Sequence, residues 1–169
     1  MKKGKQVLAM AMAAAMMMGL AACGNGDAKE SENPGEAQYK VGIIQQMEHV
    51  ALDQAREGFV AALADKGLVE GENLTIDYQN GNGDPNNLNT IAEQFVSENE
   101  DLVLAIATTA AQTMAAKTDT IPIIGTAITS YTEAGLMEDE NAPGGNVTGT
   151  TDMNPVEDQM ELIFEICPD

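Results

Sequence analysis

Glu48, His49 and Asp53 offer proton and metal chemistry within one short stretch, VGIIQQMEHVALDQAREGF (residues 41–59), and His49 is the only histidine of the chain. Side by side, Glu48 and His49 form a candidate acid–base couple. His49 and Asp53, at i and i+4, are candidate metal ligands on one helix face. Neither constellation is complete. Adjacent residues at a helix start point in different directions, and no nucleophile stands nearby. Zinc needs several His or Cys ligands, whereas the chain has one His and two Cys. No G-x-G-x-x-G, Walker loop, G-x-S-x-G elbow or H-E-x-x-H occurs. Catalysis, a metal and a cofactor are therefore not expected. What is left for these residues is ligand contact, or a helix start.

The elements that position them follow from periodicity. Tyr39 to Gln45 (YKVGIIQ) is a short strand-like run. Val50 to Lys66 has Leu52, Ala55, Phe59, Ala62 and Leu63 at helical spacing, with Gly67 as a natural stop. Leu74, Ile76 and Tyr78 alternate with polar neighbours, as a strand with one more polar face does. Asp84-Pro85 starts a helix whose buried stripe is Leu88, Ile91, Ala92, Phe95 and Val96. DLVLAIATTA predicts an apolar strand running into Thr108-Thr109 and a short helix through Lys117. TIPIIGTAIT and the shorter GGNVTGTTD are two further strands. Asn154, with Glu157 three residues on, reads as a capping box for a last helix bearing Val156, Met160, Ile163 and Ile166. Strands alternating with helices, the inner ones apolar throughout, specify an α/β fold with a doubly wound parallel sheet.

In such sheets ligands bind beyond the C-terminal strand ends, where helix N-termini present free N–H groups. Those ends supply Gln45, Gln46 and Glu48, then Asn80 to Asn82, Thr108 and Thr109, the Thr126–Ser130 segment with Ala127 and Thr129, and Thr150 to Asp152. Nearly all are hydroxyls, amides or carboxylates. Thr108 and Thr109 at a helix N-terminus suit a carboxylate, and Glu48 and Asp152 suit an ammonium group. The expected ligand set is Gln45, Glu48, Thr108, Thr109, Ala127, Thr129 and Asp152, which outlines an amino-acid site. His49 is expected to start a helix and border that site.

The N-terminus carries an address. Lys2, Lys3 and Lys5 precede an uncharged Ala- and Met-rich run from Val7 to Ala22, too short to span a bilayer and suited to a signal peptide. Leu20-Ala21-Ala22-Cys23 resembles the lipobox of bacterial lipoproteins, which implies cleavage after residue 22 and lipidation (palmitate) of Cys23. Two acyl chains, at about 0.8 kcal/mol per buried CH₂, hold where one would not. The remaining Cys167 then has no disulfide partner and is expected as a small apolar helix residue. Residues 23–38, with no large apolar side chain after Cys23, read as a spacer. Loss of the three signal lysines takes the net charge from −19 to −22. So acidic a surface excludes nucleic acid as a partner and disfavours anionic lipid beyond the acyl tether.

Taken together, VGIIQQMEHVALDQAREGF, GLVEGENLTIDYQNGNGD, ATTAAQTMAAKT, IPIIGTAIT and APGGNVTGTTDMNPVEDQMELI resemble the substrate-binding lipoproteins of ABC transporters. The group most similar includes tryptophan- and tyrosine-binding members with a type I periplasmic-binding fold. The resemblance runs from Tyr39 to Asp169. It implies two α/β lobes closing on a solute, a permease subunit with its ATPase as partners, and lipid anchoring on the extracytoplasmic face of a bacterial cell membrane. It also implies an N-terminal lobe over 39–152, then a crossover and the first helix of a second lobe over 153–169, truncated at Pro168-Asp169. The family usually has Thr-Pro-Ala where this chain has Thr108-Thr109-Ala110, which keeps the hydroxyl. A receptor for a nucleoside or another small polar solute, and a sensory or scaffold lipoprotein, stay open beside the amino-acid importer.

Overall fold

The computed structural model describes residues 38–167. The expected signal peptide (1–22), the lipidation site Cys23 and all of the expected spacer except Gln38 lie outside the described residues.

Five strands, β1 (Tyr39–Gln45), β2 (Leu74–Asn80), β3 (Leu102–Ile106), β4 (Ile123–Ile128) and β5 (Val147–Thr151), form one sheet in the order β2-β1-β3-β4-β5. Every neighbouring pair is parallel. The helices are α1 (Val50–Asp65), α2 (Pro85–Glu98), α3 (Thr108–Ala115) and α4 (Val156–Ile166). The chain leaves β1 toward β2 on one side and returns to β3 on the other. A topological switch therefore falls between β1 and β3, where an open α/β sheet opens a crevice.

The inner strands are buried on both faces, which accounts for their unbroken apolar sequences. On one face Ile44, Val103, Ala105 and Ile123 pack with Leu88, Phe95 and Met114 from α2 and α3. Gly42 is required there, since a Cβ would meet the Phe95 ring at 2.7 Å. The other face (Val41, Ile43, Leu104, Ile106) lies under α1. This cover is thinner: Leu52, Phe59 and Leu63 are half-buried, Ala62 is exposed, and α1 has no fully buried residue.

Helix α2 starts as its sequence predicts. Asp84 accepts a hydrogen bond from the Asn86 amide (2.8 Å), and Pro85 occupies the first turn. Its stripe is buried at Leu88, Ile91, Ala92 and Phe95 and half-buried at Val96. Helix α3 ends at Ala115, two residues short of the predicted Lys117, whose amide instead turns back to the Met114 carbonyl.

The predicted capping box at Asn154 does not form. Pro155, at ψ 81°, is the residue before the first helical one, and no side chain caps α4. With the boundary one residue later, Asn154 and Glu157 no longer stand at the cap and N3 positions. Cys167 lies just past α4 and is exposed, not packed within the helix. Helix α4 buries no residue.

Candidate functional site

The C-terminal strand ends are aligned by register. Gln45 pairs with Asn80 on one side and Ile106 on the other, Ile106 pairs with Thr126, and Ile128 pairs with Thr151. A single rim thus carries every residue expected to contact ligand.

At the switch point, Gln45 is fully buried. Its Nε2 donates to the Met47 carbonyl (2.8 Å) and to Asp53 Oδ1 (2.9 Å), while its Oε1 has no hydrogen-bond partner among the described residues. The side chain therefore ties strand β1 to the first turn of α1 and shapes the loop between them. Glu48, in that loop, is exposed. His49 is the N-cap of α1, its Nδ1 accepting from the Ala51 amide at 3.2 Å. The helix-start role expected for His49 is the one it fills.

Across the switch point, β3 runs into α3 through Ala107, whose φ of 80° and ψ of 157° lie where side chains other than glycine are rarely found. Such a conformation costs on the order of 1–3 kcal/mol. As the N-cap of α3, Ala107 has no side-chain acceptor, so the helix begins with no side-chain cap. The first amides of α3, including those of Thr108 and Thr109, point onto the rim beside the positive end of the helix dipole. Both threonines are half-buried.

A second unusual backbone position follows. Ala127 has φ 57°, within a register irregularity of β4 between Gly125 and Ile128. The next segment is laced to β5. Thr151 Oγ1 donates to the Thr129 carbonyl (2.6 Å), the Asp152 amide to the Ile128 carbonyl (3.2 Å), and Thr150 Oγ1 to Thr126 Oγ1 (3.2 Å). Asp152 and Thr129 are exposed. Three strand steps separate β1 from β5, about 14 Å at ordinary spacing, so Glu48 beyond β1 and Asp152 beyond the edge strand β5 stand well apart along the rim.

Two supports lay beyond sequence reasoning. Tyr131 is buried, and its hydroxyl donates to the Thr150 carbonyl (3.1 Å); burial pushes its pKa up to about 12. Glu140 Oε1 accepts from the amides of Tyr131 (2.8 Å) and Thr132 (3.2 Å) and from Ser130 Oγ (3.2 Å). Those bonds, first of all that from the Thr132 amide, lower its pKa. Together the two residues brace the turn after β4. Both needed a contact across many residues that no local pattern records.

A geometry with strained turns and open amides at a switch point belongs to several ligand-binding α/β proteins, and comparison decides which. The family model described as ABC transporter substrate binding protein matches residues 40–169. The chain belongs to that family. It is 38% identical over 174 aligned residues to the tyrosine-binding protein of Clostridioides difficile, covering 99% of this chain and 50% of the relative. Among solved structures it is similar to a conserved domain protein from Vibrio cholerae (45% identity, TM-score 0.75, 78% of this chain and 45% of the other). It is also similar to the ABC domain from Streptococcus pneumoniae in complex with L-Trp (40% identity, TM-score 0.73, 78% and 44%). The chain thus spans about half the length of the curated relative, and its five-stranded parallel sheet corresponds to one lobe of such proteins. The family is one of substrate-binding proteins rather than enzymes. Among the described residues no helix is long and apolar enough to cross a membrane.

Proposed function

We propose that this chain is the N-terminal lobe of an extracytoplasmic solute receptor of an ABC importer, tethered through a lipidated Cys23, and that its solute is an L-amino acid, aromatic in kind. One observation carries the proposal: the uncapped N-terminus of α3, set by Ala107 at the β1/β3 switch point, offers free amides to a carboxylate. In this account Thr108 and Thr109 hold the carboxylate, and Asp152 pairs with the ammonium group. Ala127 and Thr129 line the floor between them. Glu48 borders the other side of the crevice, and the fully buried Gln45 positions the Glu48 loop.

The relatives named above support the aromatic class, one being called a tyrosine-binding protein and another holding L-Trp. The whole chain has only three Phe and three Tyr, so a second lobe supplies most of the stacking surface. Closure of the two lobes on the solute excludes water and strengthens both charge pairings. The loaded receptor delivers the solute to a permease subunit driven by its ATPase.

Calorimetric titration of the longer protein that contains this chain tests the proposal. L-Trp and L-Tyr should bind, and removing either charge, as in the N-acetyl or the amide derivative, should weaken binding at least tenfold. Binding of a nucleoside, with no binding of these amino acids, would overturn it.

A further inference from the structure

At the opposite rim of the sheet, around the N-terminal halves of β1 and β2, lies a second polar cleft of about 420 Å³ lined by Lys40, Thr75, Ile76, Asp77, Glu98 and Glu100. Asp77, Glu98 and Glu100 each bring one carboxylate oxygen to within 4.8 Å of the others. Acidic side chains gather by chance on a chain of net charge −19, so proximity alone says little. Glu100 differs from the rest of that surface. It is only 6% exposed, and its Oε2 is buried without a hydrogen-bond partner among the described residues. A lone buried carboxylate oxygen among like charges is costly unless a cation meets it.

The positive charge on hand is insufficient. Lys40 is the basic residue lining the cleft, and its Nζ donates to the Glu98 backbone carbonyl at 3.3 Å. The Asp77 carboxylate accepts weakly from Gln79 Nε2 (3.2 Å), and Asp101 is occupied by the Lys40 amide (2.8 Å). Asp77, Glu98 and Asp101 all repel charge on Glu100, and Lys40 offsets this only in part. We infer that Asp77, Glu98 and Glu100 form a binding site for a hard divalent cation, calcium in kind.

Three all-oxygen ligands, with room in the cleft for water, suit calcium, magnesium or manganese rather than zinc or copper. Calcium, with its longer and more flexible coordination, fits ligands drawn from three separate positions of the chain. Oxygens that all lie within 4.8 Å of one another can share one calcium ion, whose ligands can stand about 4.6–5.2 Å apart, twice the bond length. The cation would clamp the end of α2 to the middle of β2, bracing the sheet edge. This site is independent of the solute site and stands or falls separately.

Thermal unfolding of the chelator-treated full chain tests the inference, using calcium chloride, magnesium chloride and sodium chloride at matched ionic strength. Millimolar calcium should raise the midpoint above the matched sodium value. Glu100→Gln should abolish the calcium-specific rise. The exposed Glu98→Gln, which leaves the core untouched, should weaken calcium binding about tenfold in calorimetry. No calcium-specific rise, or one that survives in both variants, would overturn the site.

Discussion

Gln45 Nε2 donates to Asp53 Oδ1 at 2.9 Å, joining the last residue of β1 to the first turn of α1 from inside the fold. Because Gln45 is completely buried, the bond fixes where the Glu48 loop leaves the sheet. Asp53→Ala should destabilise the chain by about 1–2 kcal/mol, since it strips one partner from a buried amide. Urea unfolding measures this, and an unchanged midpoint would mean that the bond does not hold the loop.

Strain at Ala107 gives a prediction of opposite sign. Glycine adopts a φ of 80° without a Cβ penalty, so Ala107→Gly should stabilise the lobe by about 1 kcal/mol despite glycine's greater freedom when unfolded. Denaturant midpoints for the two chains decide the matter. A loss of stability would show that the turn is unstrained.

Glu100 sets a pH dependence. Burial, with repulsion from Asp77 and Glu98, raises its pKa in the fold to about 7 from 4.5. Between pH 4.5 and 7 the folded state therefore holds a proton that the unfolded state has released, so the stability Glu100 contributes is fully present below pH 4.5 and is lost as pH rises through 7. In chelator-treated buffer, Glu100→Gln should remove that loss and gain a few degrees of midpoint at pH 8. Parallel pH profiles for the parent and the variant would contradict it.

Helix α4 exposes Val156, Met160, Leu162, Ile163, Phe164 and Ile166 together, with Phe164 at 64% and Ile166 at 69%. A contiguous apolar surface of this kind associates in water. The chain as it stands should self-associate, and Ile163→Lys with Phe164→Lys should shift it toward monomer in sedimentation. An unaltered monomer in both forms would show that α4 is covered within the chain.

Much of this was written in local pattern. The β1 run, the Asp84-Pro85 helix start and the continuous β3 strand were legible because burial on both faces, or a cap and its stripe, leaves a short-range signature. The rim followed from the parallel topology. Other features leave no such trace. Alanine carries no signal for a left-handed or extended positive-φ turn, so Ala107 and Ala127 looked ordinary. Glu140 and Tyr131 act through partners 8 to 19 residues away. The Glu100 cleft unites residues from β2 and the end of α2, and it opens at the rim that a ligand argument neglects. At Asn154 the local signal was present and misleading, because Pro155 takes a non-helical ψ and delays the helix by a residue.

The central claim, that Asp152 holds the ammonium group of an amino acid at this rim, is tested most directly by one substitution in the longer protein. Asp152 is exposed in the lobe and follows β5, so Asp152→Asn should leave thermal stability nearly unchanged. A closing cleft would desolvate its charge, and loss of that charge should cost about 2–5 kcal/mol in binding. Calorimetry with L-Trp should therefore show affinity at least tenfold weaker, with Thr109→Ala weakened less. Equal affinity for the parent and Asp152→Asn would contradict the amine-pairing role and point to a solute without an amine.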